Sequence, residues 1–205
     1  MIISNDLSFD FSFLEEARKT WVAKFESQID PEVDFQKREI LLKKLTKGQL
    51  DMLGDGENVA LVAFAEFVIN VLLKFVQKTK SSTLEDLLSE FFLVNPETIS
   101  KRKANKVVRT RDHKLQILFR IELHWLLANQ EYQKKIEDET LVHLRQISIW
   151  DSQDEMLMFL QEFVTNFYVN RQPELLCLLY EELNQPPPNS VRALFSPFKK
   201  SECSR

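Results

Sequence analysis

Apolar residues recur at three- and four-residue spacing along most of the chain, the period of one face of an α-helix. Phe13 to Gln28 places Leu14, Ala17, Trp21, Val22 and Phe25 on such a face and stops at Asp30-Pro31, where proline forces the preceding residue into extended backbone. A second helix is expected over about Val33 to Lys47, with Phe35, Ile40, Leu41, Leu42 and Leu45 as its apolar set. Lys43, Lys44 and Lys47 close it ahead of Gly48, cations being favourable at a helix C-terminus. Gly54-Asp55-Gly56 then turns the chain into a long third helix expected to last to Lys80. Within it, Val59 to Val76 is the most membrane-like run, yet Glu66, Asn70 and Lys74 recur at every fourth position and share one stripe. That pattern belongs to an amphipathic core helix rather than a membrane span.

Ser81-Ser82-Thr83 followed by Glu85 and Asp86 forms a capping-box start for a helix through Phe92, carrying Leu84, Leu87, Leu88 and Phe91. Asn95-Pro96 restarts the chain as an N-cap with proline at the first helical position. A basic stretch follows and feeds an apolar helix over Leu115 to Leu127, in which Gln116, Arg120 and His124 are the continuous polar stripe. Most of that circumference is therefore expected to be buried, and the helix to form the centre of a bundle. Glu131 to Ile149 is again amphipathic. Asp151, with Asp154 three on, is expected to cap the next helix, whose Met156, Leu157, Phe159, Leu160, Phe163, Val164 and Phe167 face inward. Pro173 opens the last helix, with Leu175, Leu176, Leu178, Leu179 and Leu183, and Gln185-Pro186-Pro187-Pro188 ends it.

These elements predict an all-α fold, a single irregular bundle of about seven to eight helices. The helical interaction domain is expected over residues 1–185 and a flexible basic tail over 186–205. Composition narrows the picture further. Gly48, Gly54 and Gly56 are the chain's three glycines, too few for the turns of a sandwich or a doubly wound sheet. With 44% hydrophobic residues and 16 Phe among 205 residues, a sizeable core is available. No repeat of fixed period emerges.

The segment Met1 to Phe13 lacks a basic n-region and is interrupted by Asn5, Asp6 and Asp10, so no secretory leader is expected. Cys177 and Cys203 do not make a disulfide framework and point to a reducing nuclear or cytosolic compartment.

Catalysis needs a nucleophile, base or metal in fixed geometry, and no local signature of one is present. Phosphate-cradling and dinucleotide-binding loops need glycines that the chain does not have, and the HExxH pattern is absent. His113, His124 and His143 lie on separate segments without a partner at ligand spacing, so each is read as a core or solvated histidine rather than a zinc ligand. Glu15-Glu16 and Glu181-Glu182 are adjacent in sequence only; on a helix they point about 100° apart and cannot work as an acid/base pair. The chain is expected to be no enzyme and to need no cofactor and no metal.

Net charge is −4, which does not favour nucleic acid as a whole-molecule partner. Against that background Lys101, Arg102, Lys103, Lys106, Arg109, Arg111 and Lys114 place seven cations within fourteen residues, with Asp112 the sole acid. Cations crowded ahead of a helix repel one another and gain nothing for stability, so the cluster is the candidate partner-binding face, with an acidic protein surface as the expected partner. A DNA backbone could be held by the same cations, although no aromatic residue is interleaved for stacking. In the tail, Ser196-Pro197-Phe198-Lys199 fits the Ser-Pro-x-Lys consensus of cyclin-dependent kinases, making Ser196 the candidate phosphorylation site.

The segment Arg111-Asp-His-Lys-Leu-Gln-Ile-Leu-Phe-Arg-Ile-Glu-Leu123 resembles the central helix of the Sld3-like domain found in Treslin and its fungal counterparts. Phe159-Leu-Gln-Glu-Phe-Val-Thr-Asn-Phe-Tyr168, then Pro173 and Leu175-Leu-Cys-Leu-Leu-Tyr-Glu-Glu-Leu183, is similar to that family's closing helix pair. The likeness covers mainly residues 100–185. It implies a nuclear, non-enzymatic domain that binds the cell-division-cycle subunit of the CMG helicase and helps recruit it to the loaded minichromosome-maintenance ring. It also implies that phosphorylated tail sites engage BRCT repeats of a TopBP-type scaffold. The tail holds one such site, Ser196, where the family is expected to use a pair. A helical adaptor unrelated to replication is the remaining reading of the residues themselves.

Overall fold

A computed structural model of the chain describes residues 58–79, 83–127 and 129–194. The two helices expected within residues 13–47, the glycine turn and Ser196 lie outside the described residues. Within them the chain is helical throughout and contains no strand.

Helix α1, Asn58–Thr79, buries Leu61, Phe64, Ala65, Val68 and Leu72, while Glu66 is half-buried and Asn70 and Lys74 are exposed, as their shared stripe requires. No helix among the described residues is long and apolar enough to cross a membrane. Helix α2, Leu84–Phe91, starts on the expected capping box: Thr83 Oγ1 accepts from Asp86 N and Asp86 accepts from Thr83 N, both at 3.1 Å. The short helix α3, Pro96–Lys101, follows Asn95 as N-cap.

Helix α4, Lys106–Leu126, is the centre of the bundle, and Ile117, Leu118, Ile121 and Leu123 have no measurable exposure. It begins at Lys106 rather than Leu115, because Asn105 accepts from Val108 N at 2.8 Å and caps the helix there. The apolar pattern hid that start because the inward positions of its first half are polar: Thr110, His113 and Lys114 are buried. Burial also stops short of Leu127, with Trp125 and Leu126 exposed on the last turn.

Helix α1 runs beside α4 in the same direction, with Asn58 meeting Lys114 and the Phe64 ring 6.3 Å from that of Phe119. Helix α5, Gln130–Trp150, returns antiparallel, so that Arg120 meets Glu139 and His113 meets His143.

The polar stripe of α4 becomes an internal network that ties the helices together. Gln116 Nε2 donates to Phe92 O at 2.9 Å and its Oε1 accepts from Val94 N at 2.8 Å. Arg120, 2% exposed, donates to Gln116 Oε1 and to Glu139. His124 lies 3.0 Å from Gln172 Oε1. Paired in this way, the buried groups avoid most of the cost of leaving water.

Helix α6, Gln153–Met158, continues into a π-helical segment, Phe159–Thr165, and α7, Asn166–Tyr168. Ser152, not Asp151, caps α6, accepting from Glu155 N at 3.0 Å; Asp151 instead closes α5. The Thr165 hydroxyl donates to Leu160 O, five residues back, and shares a 2.9 Å hydrogen bond with Tyr180. Of the side chains expected inward here, Met156, Phe159, Leu160 and Val164 are buried, whereas Leu157, Phe163 and Phe167 are half-buried at the rim.

Helix α8, Pro173–Glu182, ends on Asn184 with φ 54°, and Gln185 N bonds back to Tyr180 O at 2.8 Å. This left-handed C-terminal cap is one asparagine tolerates. The packed chain extends past the prolines, contrary to a tail beginning at 186: α9, Asn189–Arg192, seats Val191 in the core with no exposure.

Cys177 is buried, with its Sγ 3.7 Å from Glu181 Oε1, and Cys203 lies outside the described residues.

Candidate functional site

The cationic stretch folds as a corner, with Lys101 ending α3, Arg102 and Lys103 in the connection and Lys106 starting α4. Two contacts hold the corner against the end of α5, and a third ties the corner to itself. Ser100 Oγ donates to Gln146 Oε1 at 3.4 Å, Arg109 stacks over the Trp150 ring at 4.4 Å, and Arg109 donates to Arg102 O at 2.9 Å.

The seven candidate cations divide into two groups. Lys101, Arg102, Lys103 and Lys106 are exposed. Arg109 and Arg111 are half-buried, and Lys114 is buried with its side chain 8% exposed. The expectation of a fully open cationic face is therefore revised. Lys114 Nζ sits 2.6 Å from Glu155 and 3.0 Å from Asn58 Oδ1, under the Phe159 ring. It is a structural cation, buried because it completes an ion pair across three elements.

Carboxylates of the chain itself also meet the outer cations. Arg102 pairs with Asp112 at 3.0 Å, Lys106 with Asp151 at 2.7 Å, and Lys101 with Glu97 at 3.5 Å. The Lys101–Glu97 pair, 79% exposed on both sides, is worth roughly 0–1 kcal/mol, so a partner's carboxylate can exchange with Glu97 at little cost, whereas Asp112 and Asp151 are partly buried at 14% and 28%.

Beside this corner the outer face of α5 carries Ile149, 70% exposed, and two turns earlier Val142, 39% exposed. Val142 also lines an open cleft of about 400 Å³ with Leu93, Pro96, Tyr132 and Lys135, and Arg120 and Glu139 lie in its wall. The corner's contacts to Gln146, Trp150 and Asp151 put its charge at the end of α5 that carries Ile149. The apolar partner of the cations escaped the pattern because Ile149 and Val142 sit on a helix whose inward face is equally apolar.

A buried histidine pair was also not visible in the spacing. His113 and His143, both with no exposure, approach to 2.8 Å between their Nδ1 atoms. One Nδ1–H must donate to the other ring's bare Nδ1, which fixes opposite tautomers. Neither Nε2 makes a hydrogen bond of good geometry. Burial first, and then the nearby Arg120 charge, pulls His113 down to about 4 and His143 to about 2, with His113 adding to the effect on His143 and the Val94 backbone opposing it. Both rings are accordingly neutral at physiological pH. Among the described residues no group of three or more His, Cys, Asp or Glu is arranged to hold a metal ion.

The family model described as Treslin, STD domain, matches residues 39–183 of the chain. No curated protein and no solved structure matches.

Proposed function

The chain belongs to the Treslin STD-domain family, whose members are DNA replication-initiation factors, and from that premise we propose that its α3–α4 corner docks an acidic surface of the cell-division-cycle subunit of the CMG helicase. Binding there would help bring that subunit to the loaded minichromosome-maintenance ring. The observation that carries the reading is that Lys101, Arg102, Lys103 and Lys106 are exposed on a corner held against the end of α5, the same end that carries Ile149, 70% of whose surface is open to water. Cations speed encounter with an acidic partner, and a protruding aliphatic side chain supplies contact area that remains when charges are screened. The family's role is non-enzymatic scaffolding in the nucleus, consistent with a site that binds rather than transforms. If Ser196 is phosphorylated, a BRCT scaffold of the TopBP type is its expected reader.

A DNA backbone is the second reading of the same cations. Salt separates the two, because a phosphate-backbone contact loses affinity steeply and log-linearly with salt. Titrating the purified chain with the helicase subunit and with duplex and single-stranded DNA, at low and at physiological salt, tests both. The docking reading expects binding to the subunit that persists at physiological salt. Binding to DNA alone contradicts it.

A further inference from the structure

We propose that Ser152 is a phosphorylation site for a serine/threonine kinase that requires glutamine at the following position, and that its phosphate weakens the neighbouring docking corner. The second half rests on the docking reading above; the first does not.

Ser152 is exposed at the break between α5 and α6, with extended backbone at φ −164° and ψ 163°. Its hydroxyl makes one contact, accepting from Glu155 N at 3.0 Å. The surrounding residues read Asp151-Ser152-Gln153-Asp154-Glu155. Two kinase preferences meet that string, one for glutamine in the next position and one for an acid three positions on. The structure separates them. Glu155 is half-buried and its carboxylate holds Lys114 Nζ at 2.6 Å, whereas Gln153 and Asp154 are exposed. Glutamine is the determinant left open to a kinase.

The consequence follows from what lies one residue back. Asp151 Oδ1 holds Lys106 Nζ at 2.7 Å, and the Lys106 side chain is 54% exposed on a flexible stem. Transfer of the γ-phosphoryl group of a nucleoside triphosphate to Ser152 Oγ releases the diphosphate and the hydroxyl proton. It leaves nearly two negative charges at neutral pH. A dianion next to Asp151 takes Lys106 as its counter-ion, and Lys101, Arg102 and Lys103 then share their corner with a new anion. An acidic partner is repelled where it was steered.

The test uses the full chain carrying Ser27→Ala, which removes its other Ser-Gln pair. Incubation with a glutamine-directed kinase and ATP is expected to add one phosphate at Ser152, mapped by peptide mass, and none in Ser152→Ala or Gln153→Ala. No modification of the folded chain, or modification that survives Gln153→Ala, overturns the assignment. Phosphorylated chain is then expected to capture the helicase subunit about five- to tenfold more weakly than Ser152→Ala treated in parallel. If capture is unchanged while charge reversal of Lys101, Lys103 and Lys106 abolishes it, the regulatory half fails and the docking reading stands. If charge reversal also changes nothing, the docking reading fails with it, and the modification is judged on mass alone.

Discussion

His113 and His143 meet Nδ1 to Nδ1 at 2.8 Å inside the α4–α5 interface, a hydrogen bond that requires the two rings to be opposite tautomers. Their affinity for a proton is far lower in the folded chain than in the unfolded one, where histidine titrates near 6.5. The unfolded state therefore binds more protons as pH falls through that value. Stability from this pair is complete above about pH 6.5 and declines on acidification toward pH 4 and below, by up to about 1.4 kcal/mol per pH unit for each ring. Urea unfolding between pH 8 and pH 5 should show this slope, and the imidazole resonances of both residues should not titrate in the folded protein over that range. Titration of either ring near 6.5 would contradict the pairing.

Glu155 and Glu97 both pair with lysines, but the lysines differ in burial. Glu155→Ala removes the carboxylate from Lys114, whose side chain is 8% exposed, leaving Asn58 Oδ1 as its hydrogen-bond partner among the described residues, and a loss of about 3 kcal/mol is expected. Glu97→Ala removes a pair whose side chains are both 79% exposed and should change stability little. Equal midpoints for the two variants in denaturant would show that the Lys114 pair is solvated.

Leu118 has no exposure, and Leu118→Ala is expected to cost about 2–5 kcal/mol through the cavity it leaves. Phe163, also expected in the core from its spacing, is half-buried. Phe163→Ala should therefore cost less than Leu118→Ala in the same chemical denaturation series. The reverse order would place Phe163 deeper than the structure does.

Arg171 makes a two-pronged contact with Glu122 at 3.1 and 2.9 Å, and Glu122 is 3% exposed. Arg171→Ala strands that carboxylate, and Arg171→Lys restores charge without the fork. Thermal unfolding should rank wild type above Arg171→Lys above Arg171→Ala. If Arg171→Ala matched wild type, the pair would contribute nothing.

The helices were legible because their signals are local. Asn95-Pro96, Thr83 with Asp86, and Pro173 announce helix starts whatever surrounds them, and the stripe of Glu66, Asn70 and Lys74 reports a buried opposite face. What escaped depends on neighbours distant in sequence. Lys114 counts as a surface cation until Glu155, forty-one residues on, closes over it. His113 and His143, thirty residues apart, become a pair only when α5 turns back along α4. Val191 looks like tail until the chain beyond the prolines folds onto the core. The corner cations were found as a cluster in sequence, whereas their split into exposed and structural members needed the coordinates. For that reason Arg109 and Arg111, engaged and half-buried, are unsuitable for testing the docking surface.

Affinity of the chain for the purified cell-division-cycle helicase subunit, measured with two surface variants at physiological salt, addresses the docking surface directly. Lys101→Glu/Lys103→Glu/Lys106→Glu is expected to slow association and weaken binding at least about tenfold, and Ile149→Asp to speed dissociation, both with unfolding midpoints near wild type. Wild-type affinity in both variants would contradict the assignment of the α3–α4 corner and α5 as the surface that binds.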